Sequence, residues 1–466
     1  MPIVGPILKL YDRYDATFLT MLGMQYFNQG TKVLVYLAAA DLFKAYYHMD
    51  PGRVQTLQAF TFLPWSIKIV YGLISDNFPI FGSRRKSYLL IMSLLQFLSM
   101  IILGMISTNS ESENLAAWML FISNLSIAFS DVIVDSLMVI QARRYPEDGG
   151  EELNSFSWTC MAIGGLIGSI AAAILTESYN PSYCFYFSSL MGLIIVFYAL
   201  RLDVSLETEG LEDAIESNLG FWHDLKRNCR EIVEAMKIKE FYQMILYLVV
   251  GGFLVPSFGS FGYYFMLDVV GISKFTYSML TVLGFVSLLF GTQMFNKYFK
   301  DREWRNLIML DALISIFIAP LTFIFIFRIN LDWGISDMFM IIFTDTVAEI
   351  VSQCFVFLPM SVIMTKICPK HIEATSFALL AGVSNFRGTV RGWMGSWINE
   401  KWVGVTQEDL SDYWVLVLIG TICSFLPLFF LWLIPTRKGI EDLQKGMEGK
   451  EDDKDAAKSK KEEDEI

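Results

Sequence analysis

Apolar residues occur along this chain in long stretches separated by short polar breaks. The stretches predict helices at 16–40, 54–76, 87–107, 115–141, 154–176, 182–202, 241–267, 275–298, 305–328, 337–365, 373–398 and 413–434. Each approaches or exceeds the roughly 20 residues a helix needs to cross a ~30 Å hydrocarbon core. Numbered in chain order as spans one to twelve, they predict an all-α membrane protein. Membrane β-barrels are excluded, because their strands alternate polar and apolar positions over only ~10 residues.

Composition agrees with this. Of 466 residues, 54% are hydrophobic and 18% charged. A net charge of -12 argues against a nucleic-acid partner, which needs a basic face. The cysteines (Cys160, Cys184, Cys229, Cys354, Cys368 and Cys423) form no CxxC pair, and His48, His223 and His371 lie far apart. Neither a disulfide framework nor a metal site is expected, and no cofactor. Asp12 and Asp15 interrupt the amino terminus too early for a cleavable signal peptide.

Lys and Arg sort once the spans alternate. One set of connections carries Lys9 and Arg13, Arg84 to Lys86, Arg143 and Arg144, the 203–240 segment, Lys297 to Arg305, Lys366 and Lys370, and the tail. The opposite set is poor in cations. The positive-inside rule therefore predicts both termini in the cytoplasm of a cell bounded by, or containing, the host membrane. The 203–240 segment is the longest polar connection. It divides the chain into an N-terminal bundle (1–202), a cytoplasmic linker (203–240) and a C-terminal bundle (241–435), followed by a charged tail (436–466) expected to be disordered. The halves echo one another: Glu152-Leu-Asn-Ser155-Phe156 opens span five and Glu373-Ala-Thr-Ser376-Phe377 opens span eleven. Two pseudo-symmetric six-helix bundles with a site between them are a device of secondary transporters.

Ionisable residues inside spans cost at least ~2.5 kcal/mol each on insertion scales, so each marks a partner, a cavity or a function. Asp131 and Asp135 lie four residues apart in span four, hence on one face, about 18 and 12 Å from Arg143 along the helix. Lys68 in span two is at a compatible depth to pair with them. Asp345 and Glu349 share a face of span ten, and Arg387 and Arg391 a face of span eleven. Stacked guanidinium groups suit carboxylates and flat rings. Asp131 and Asp135 are thus the expected proton or cation carriers with Lys68 their partner, and Asp345 and Glu349 the equivalent groups in the second half. Arg387 and Arg391 are expected to bind an anionic substrate, with Trp65 and Asn28 lining the cavity. Any one such pair also suits a structural role, joining spans. Gly164 and Gly168 in span five have the spacing of a close helix crossing.

Leu63-Pro-Trp65-Ser-Ile-Lys68, then Tyr71-Gly72 and Ser75-Asp76-Asn-Phe-Pro79-Ile-Phe-Gly82-Ser-Arg84-Arg85-Lys86, resemble the folate-biopterin transporter family of the major facilitator superfamily. Ser130-Asp131-Val-Ile-Val-Asp135 and Cys368-Pro369-Lys-His371-Ile-Glu373-Ala-Thr-Ser-Phe377, leading to Asn385, extend the resemblance, with His371 a departure from the small residue expected there. The resemblance implies two six-helix bundles of major facilitator type and proton-coupled carriage of folate, biopterin or a related pterin. Gly72, Asp76, Arg84 and Arg85 would then form the gating loop. It also leaves open other metabolites such as S-adenosylmethionine, and a transporter-like sensor or assembly subunit without flux. No nucleophile and base stand together in the spans, so an enzyme is not expected. Twelve spans suffice for one permeation path, which favours a monomer in the plasma membrane or an organelle membrane.

Overall fold

The computed structural model describes residues 4–109, 112–142, 144–145, 149–207, 221–368 and 373–445. Among them the fold is all helix, apart from a single bridge between Ile80 and Ser83. Among the described residues a helix lies over each of the twelve expected spans, with ends displaced by a few residues. They are Ala16–Asp41, Pro51–Phe62 continued by Lys68–Asn77, Lys86–Ile106, Glu113–Ala142, Gly149–Ser178 and Ser182–Arg201 in the first half. The second half has Lys239–Leu254 continued by Gly259–Asp268, Lys274–Met294, Trp304–Ile326, Asp337–Lys366, Glu373–Ile398 and Tyr413–Ser424 continued by Leu426–Leu433. His371 and the tail beyond Lys445 lie outside the described residues.

Among the described residues nine helices are long and apolar enough to span by themselves, and the broken span seven makes a tenth. Spans one and eleven fall below that apolarity. They are the helices that carry Gln25, Asn28, Gln29 and Lys32, and Asn385, Arg387 and Arg391. Large apolar side chains face outward where a soluble protein would hide them: Phe317 is 77% exposed and Phe429 76%. Lipid is the solvent that suits those faces.

Two breaks have a local cause. Pro64 lacks the N–H that would continue the helix, and span two passes through a tight 3₁₀ turn, Leu63–Ile67. Pro256 sits in the interruption of span seven between Leu254 and Gly259. Among the described residues, two further helices of ten residues or more lie outside the expected spans, Val4–Arg13 and Phe221–Met236. The second lies in the expected linker, where a dense run of charge hides an amphipathic period.

Packing separates two compact units. The first comprises Met1–Lys226, Pro256–Val286 and Gly388–Val417, and the second Arg227–Val255, Ser287–Arg387 and Leu418–Ile466. Inside the first, Phe18, Leu19, Met21 and Leu22 of span one are fully buried against Phe129, Ile133 and Val134 of span four. Inside the second, Phe241, Met244 and Leu248 pack with Trp304, Ile363 and Leu433.

Spans one and five cross almost backbone to backbone. A Cβ on Gly164 would stand 2.2 Å from the Phe27 carbonyl oxygen, and one on Gly30 would stand 2.1 Å from that of Met161. Only glycine permits that approach. The crossing is the tight-packing use of small residues in membranes, and it fixes the rotation of span one about its axis.

Candidate functional site

With span one held by Gly30, its neighbouring polar residues present themselves to span four of the same unit. Asp131 is buried and receives two partners. Lys68 forms an ion pair with Oδ2, and Gln29 Nε2 donates to Oδ1 at 2.5 Å. The carboxylate is therefore held from both sides, with side-chain exposures of 6% for Asp131 and 17% for Lys68. One turn along span four, Asp135 Oδ1 accepts a 2.6 Å bond from the Tyr26 hydroxyl. Tyr26 and Gln29 are three residues apart, as are neighbours on one helical face, so span one matches both acids of span four.

The 3₁₀ turn in span two shapes the next layer. Residues three apart are eclipsed in such a turn, so Phe62, Trp65 and Lys68 line up. The Phe62 and Trp65 rings stack with centroids 6.1 Å apart and planes 16° apart. Trp65 Nε1 donates to Asn124 Oδ1 at 3.0 Å, and Asn124 Nδ2 donates to the Leu120 carbonyl at 3.0 Å, which fixes the indole. The Lys32 ammonium stands 4.0 Å from the centroid of the Trp65 ring, and Lys68 stands 5.4 Å from it.

Of the expected site residues in the first half, Trp65, Lys68, Asp131 and Asp135 come together here. Asn28 does not join them. Its amide is locked to Gln96 of span three by reciprocal 3.0 Å bonds, which leaves it a buried tie between spans one and three. The loop between spans two and three closes on itself: Arg85 pairs with Asp76 and donates from Nη1 to Ser75 Oγ at 2.7 Å. Gly82 takes φ +77°, which the turn requires, and Arg84 is exposed beside it. Gly72 faces Val132 of span four, with room for a Cβ at 3.7 Å.

In the second unit, Thr344 Oγ1 lies 3.3 Å from Asp345 Oδ1, and Gln353 Nε2 donates to Glu349 Oε1 at 2.6 Å. Neither acid forms an ion pair among the described residues. Arg387 runs along a glycine face of span seven: a Cβ on Gly251 would lie 3.5 Å from its Nε. That Nε is buried without a hydrogen-bond partner. Arg391 belongs to the first unit, where its carbonyl accepts from Ser257 N at 2.9 Å.

Sequence reasoning did not single out Gln29, Asn124 or Asp311. Asp311 is a lone acid in the apolar Leu307-Ile-Met-Leu-Asp311 run of span nine, and the rule for ionisable residues within spans was enough to find it. Gln29 had no such signal, since its role depends on which way span one is turned. Acids outside the spans behave differently. The N–H groups of Ser205 and Ser411 hold the Asp203 and Asp409 carboxyls below the usual carboxylate range, so these are turn-forming anions. Among the described residues no group of His, Cys, Asp and Glu is arranged to hold a metal ion.

The sequence profile of the BT1 family matches residues 29–456. The chain belongs to the BT1 family. It is 24% identical to the probable folate-biopterin transporter 4 of Arabidopsis thaliana, over 92% of this chain and 97% of that protein. It is 28% identical to the folate-biopterin transporter of Synechocystis sp., over 88% of this chain and 80% of that protein. Among solved structures it resembles a D-xylose-proton symporter at TM-score 0.64 and 13% identity, over 91% of this chain and 98% of the other. This BT1 chain is thus a multi-pass membrane transporter of major facilitator fold.

Proposed function

We propose that this BT1 protein carries folate, biopterin or a related pterin across a membrane by alternating access between two six-helix halves, coupled to protons. The observation that supports it most directly is the Lys68–Asp131–Gln29 cluster beside the fixed Trp65 ring. A charged acid in a span exchanges a proton without moving far. When Asp131 takes up a proton, its attraction for Lys68 is lost, and the freed ammonium changes the electrostatics of the ring platform. Asp135, held by Tyr26, is the second acid on the same face. Arg387, whose Nε lacks an acceptor, is the second half's group for an anionic substrate, with Arg391 one turn on. The names of the relatives support the pterin class. We further propose that both termini are cytoplasmic, that the Asp76–Arg85 loop gates the path, and that one chain is the working unit.

The test is uptake of folate and biopterin into proteoliposomes under an imposed pH gradient. Wild type should accumulate substrate, and Asp131→Asn should abolish the pH-driven component while the protein stays folded. Retained pH-driven uptake in that variant would sink the coupling assignment. A cationic metabolite is the second reading, favoured by Asp311, Asp345 and Glu349, none of which has an ion-pair partner among the described residues. Thermal stabilisation by S-adenosylmethionine but by neither folate nor biopterin would favour it.

A further inference from the structure

Lys32 is the cation beside this cluster that stands over rings and not against a carboxylate. Its half-buried ammonium lies over two rings, 4.8 Å from the centroid of Phe62 and 4.0 Å from that of Trp65, and it forms no ion pair among the described residues. The nearest acid is already engaged, because Lys68 and Gln29 occupy the two oxygens of Asp131. Asp135, one turn further along span four, is bound by Tyr26. The acid at the level of Trp65 is thus taken by Lys68, and the second acid, Asp135, lies a turn away on Tyr26. Aromatic faces hold a cation more weakly than a carboxylate in direct contact does, so Lys32 keeps an unmet preference for an anion.

We propose that Lys32 is the residue that receives the anionic group of a flat substrate, and that without substrate it is parked across the ring platform the substrate will use. The geometry couples the two contacts. Phe62 and Trp65 present nearly parallel faces, and the Asn124 bond prevents the indole from turning aside. A flat ring stacks there only after the ammonium leaves, and the ammonium leaves for a carboxylate, which binds it more strongly than a ring does. A neutral flat molecule has nothing to offer Lys32, and a non-planar anion makes no use of the rings. Within the proposed class the site therefore favours flat rings that carry a carboxylate, as folates do, over uncharged pterins such as biopterin. This deepens the transport reading by assigning the substrate's charge a partner, and Lys32 is a specificity residue distinct from the Asp131 pair.

The experiment measures binding to the purified full chain by thermal stabilisation, with pterin-6-carboxylate, neutral pterin and 2-naphthoate as probes. Wild type should bind pterin-6-carboxylate at least tenfold more tightly than pterin, a comparison that needs no variant. Lys32→Met should bring the two within about twofold, and Lys32→Arg, which keeps the charge, should retain a preference. Equal binding of the two pterins by wild type overturns the proposal, as does a tenfold preference that survives in Lys32→Met. Binding of 2-naphthoate that depends on Lys32, with no binding of either pterin, overturns the pterin reading and upholds the anion site. Binding of neither carboxylate by wild type overturns the anion site.

Discussion

At the scale of single residues, the cluster around Asp131 joins structure and function in one set of contacts. Removing one member of a buried ion pair leaves the other charge without compensation, at a cost of about 3–5 kcal/mol, whereas removing both is often nearly neutral. Lys68→Met and Asp131→Asn should therefore each lower the thermal midpoint of the purified protein, and the double variant should recover at least half of the larger loss. Additive losses would show that the two residues act independently. Gln29 makes a separate contribution through one charge-assisted hydrogen bond, worth about 1.5–3 kcal/mol. Gln29→Leu should be milder than Lys68→Met in the same melting measurement. An equal or larger loss would mean that Gln29, and not the lysine, chiefly holds the acid.

At the scale of elements, the site depends on how span one is turned, and the glycine crossing with span five sets that. The contact atoms at Gly30 and Gly164 are backbone carbonyls, which cannot swing aside as a flexible side chain would. Gly164→Val should force the helices apart, destabilise the protein by at least the 1–3 kcal/mol typical of overpacking, and loosen the Gln29–Asp131 contact. Full thermal stability in that variant would show that the crossing tolerates separation. Much of this level is legible in the sequence. Apolar run length located the spans, and the spacing of Asp131 and Asp135 put both acids on one face without any structure. Lys68 was placed opposite them by depth alone. What stayed hidden depends on rotation and local breaks: Asn28 and Gln29 are neighbours of similar chemistry, yet one ties to Gln96 and the other to Asp131. The Pro64 turn, which aligns Phe62, Trp65 and Lys68, breaks the regular helical period that a sequence pattern relies on. The linker helix Phe221–Met236 was masked by its charge.

At the scale of the whole molecule, a transporter must hold one access state closed and still release it, and charges far apart in sequence suit that work. Within the first unit, Asp41 and Lys44 from the end of span one meet partners more than 200 residues later. Lys274 pairs with Asp41 at 2.7 Å, and Lys44 pairs with Asp268 at 2.7 Å. The two pairs have opposite polarity along the chain, acid to base and base to acid. Span one thus offers both signs, and a shift in register would set like charges together. Asp41 has a side-chain exposure of only 1%, so its charge depends on Lys274 for compensation. Nearby bonds lie in the same contact zone: the Tyr264 hydroxyl donates to the Met49 carbonyl at 2.5 Å, and Gln55 Nε2 to that of Ser257 at 2.7 Å. If this zone is a latch whose release is part of the transport cycle, polarity matters more than the identity of each residue. Reversing one charge, as in Asp41→Lys, should lower uptake in proteoliposomes at least tenfold. The exchanged pair, Asp41→Lys with Lys274→Asp, should restore a third or more of wild-type uptake. The double-variant comparison isolates the pair from effects of each residue on its own surroundings. Wild-type uptake in the single reversal would mean that the pair does no work in the cycle. A folded exchange variant that remains inactive would mean that Asp41 is needed as an acid at its own position and does not act through Lys274.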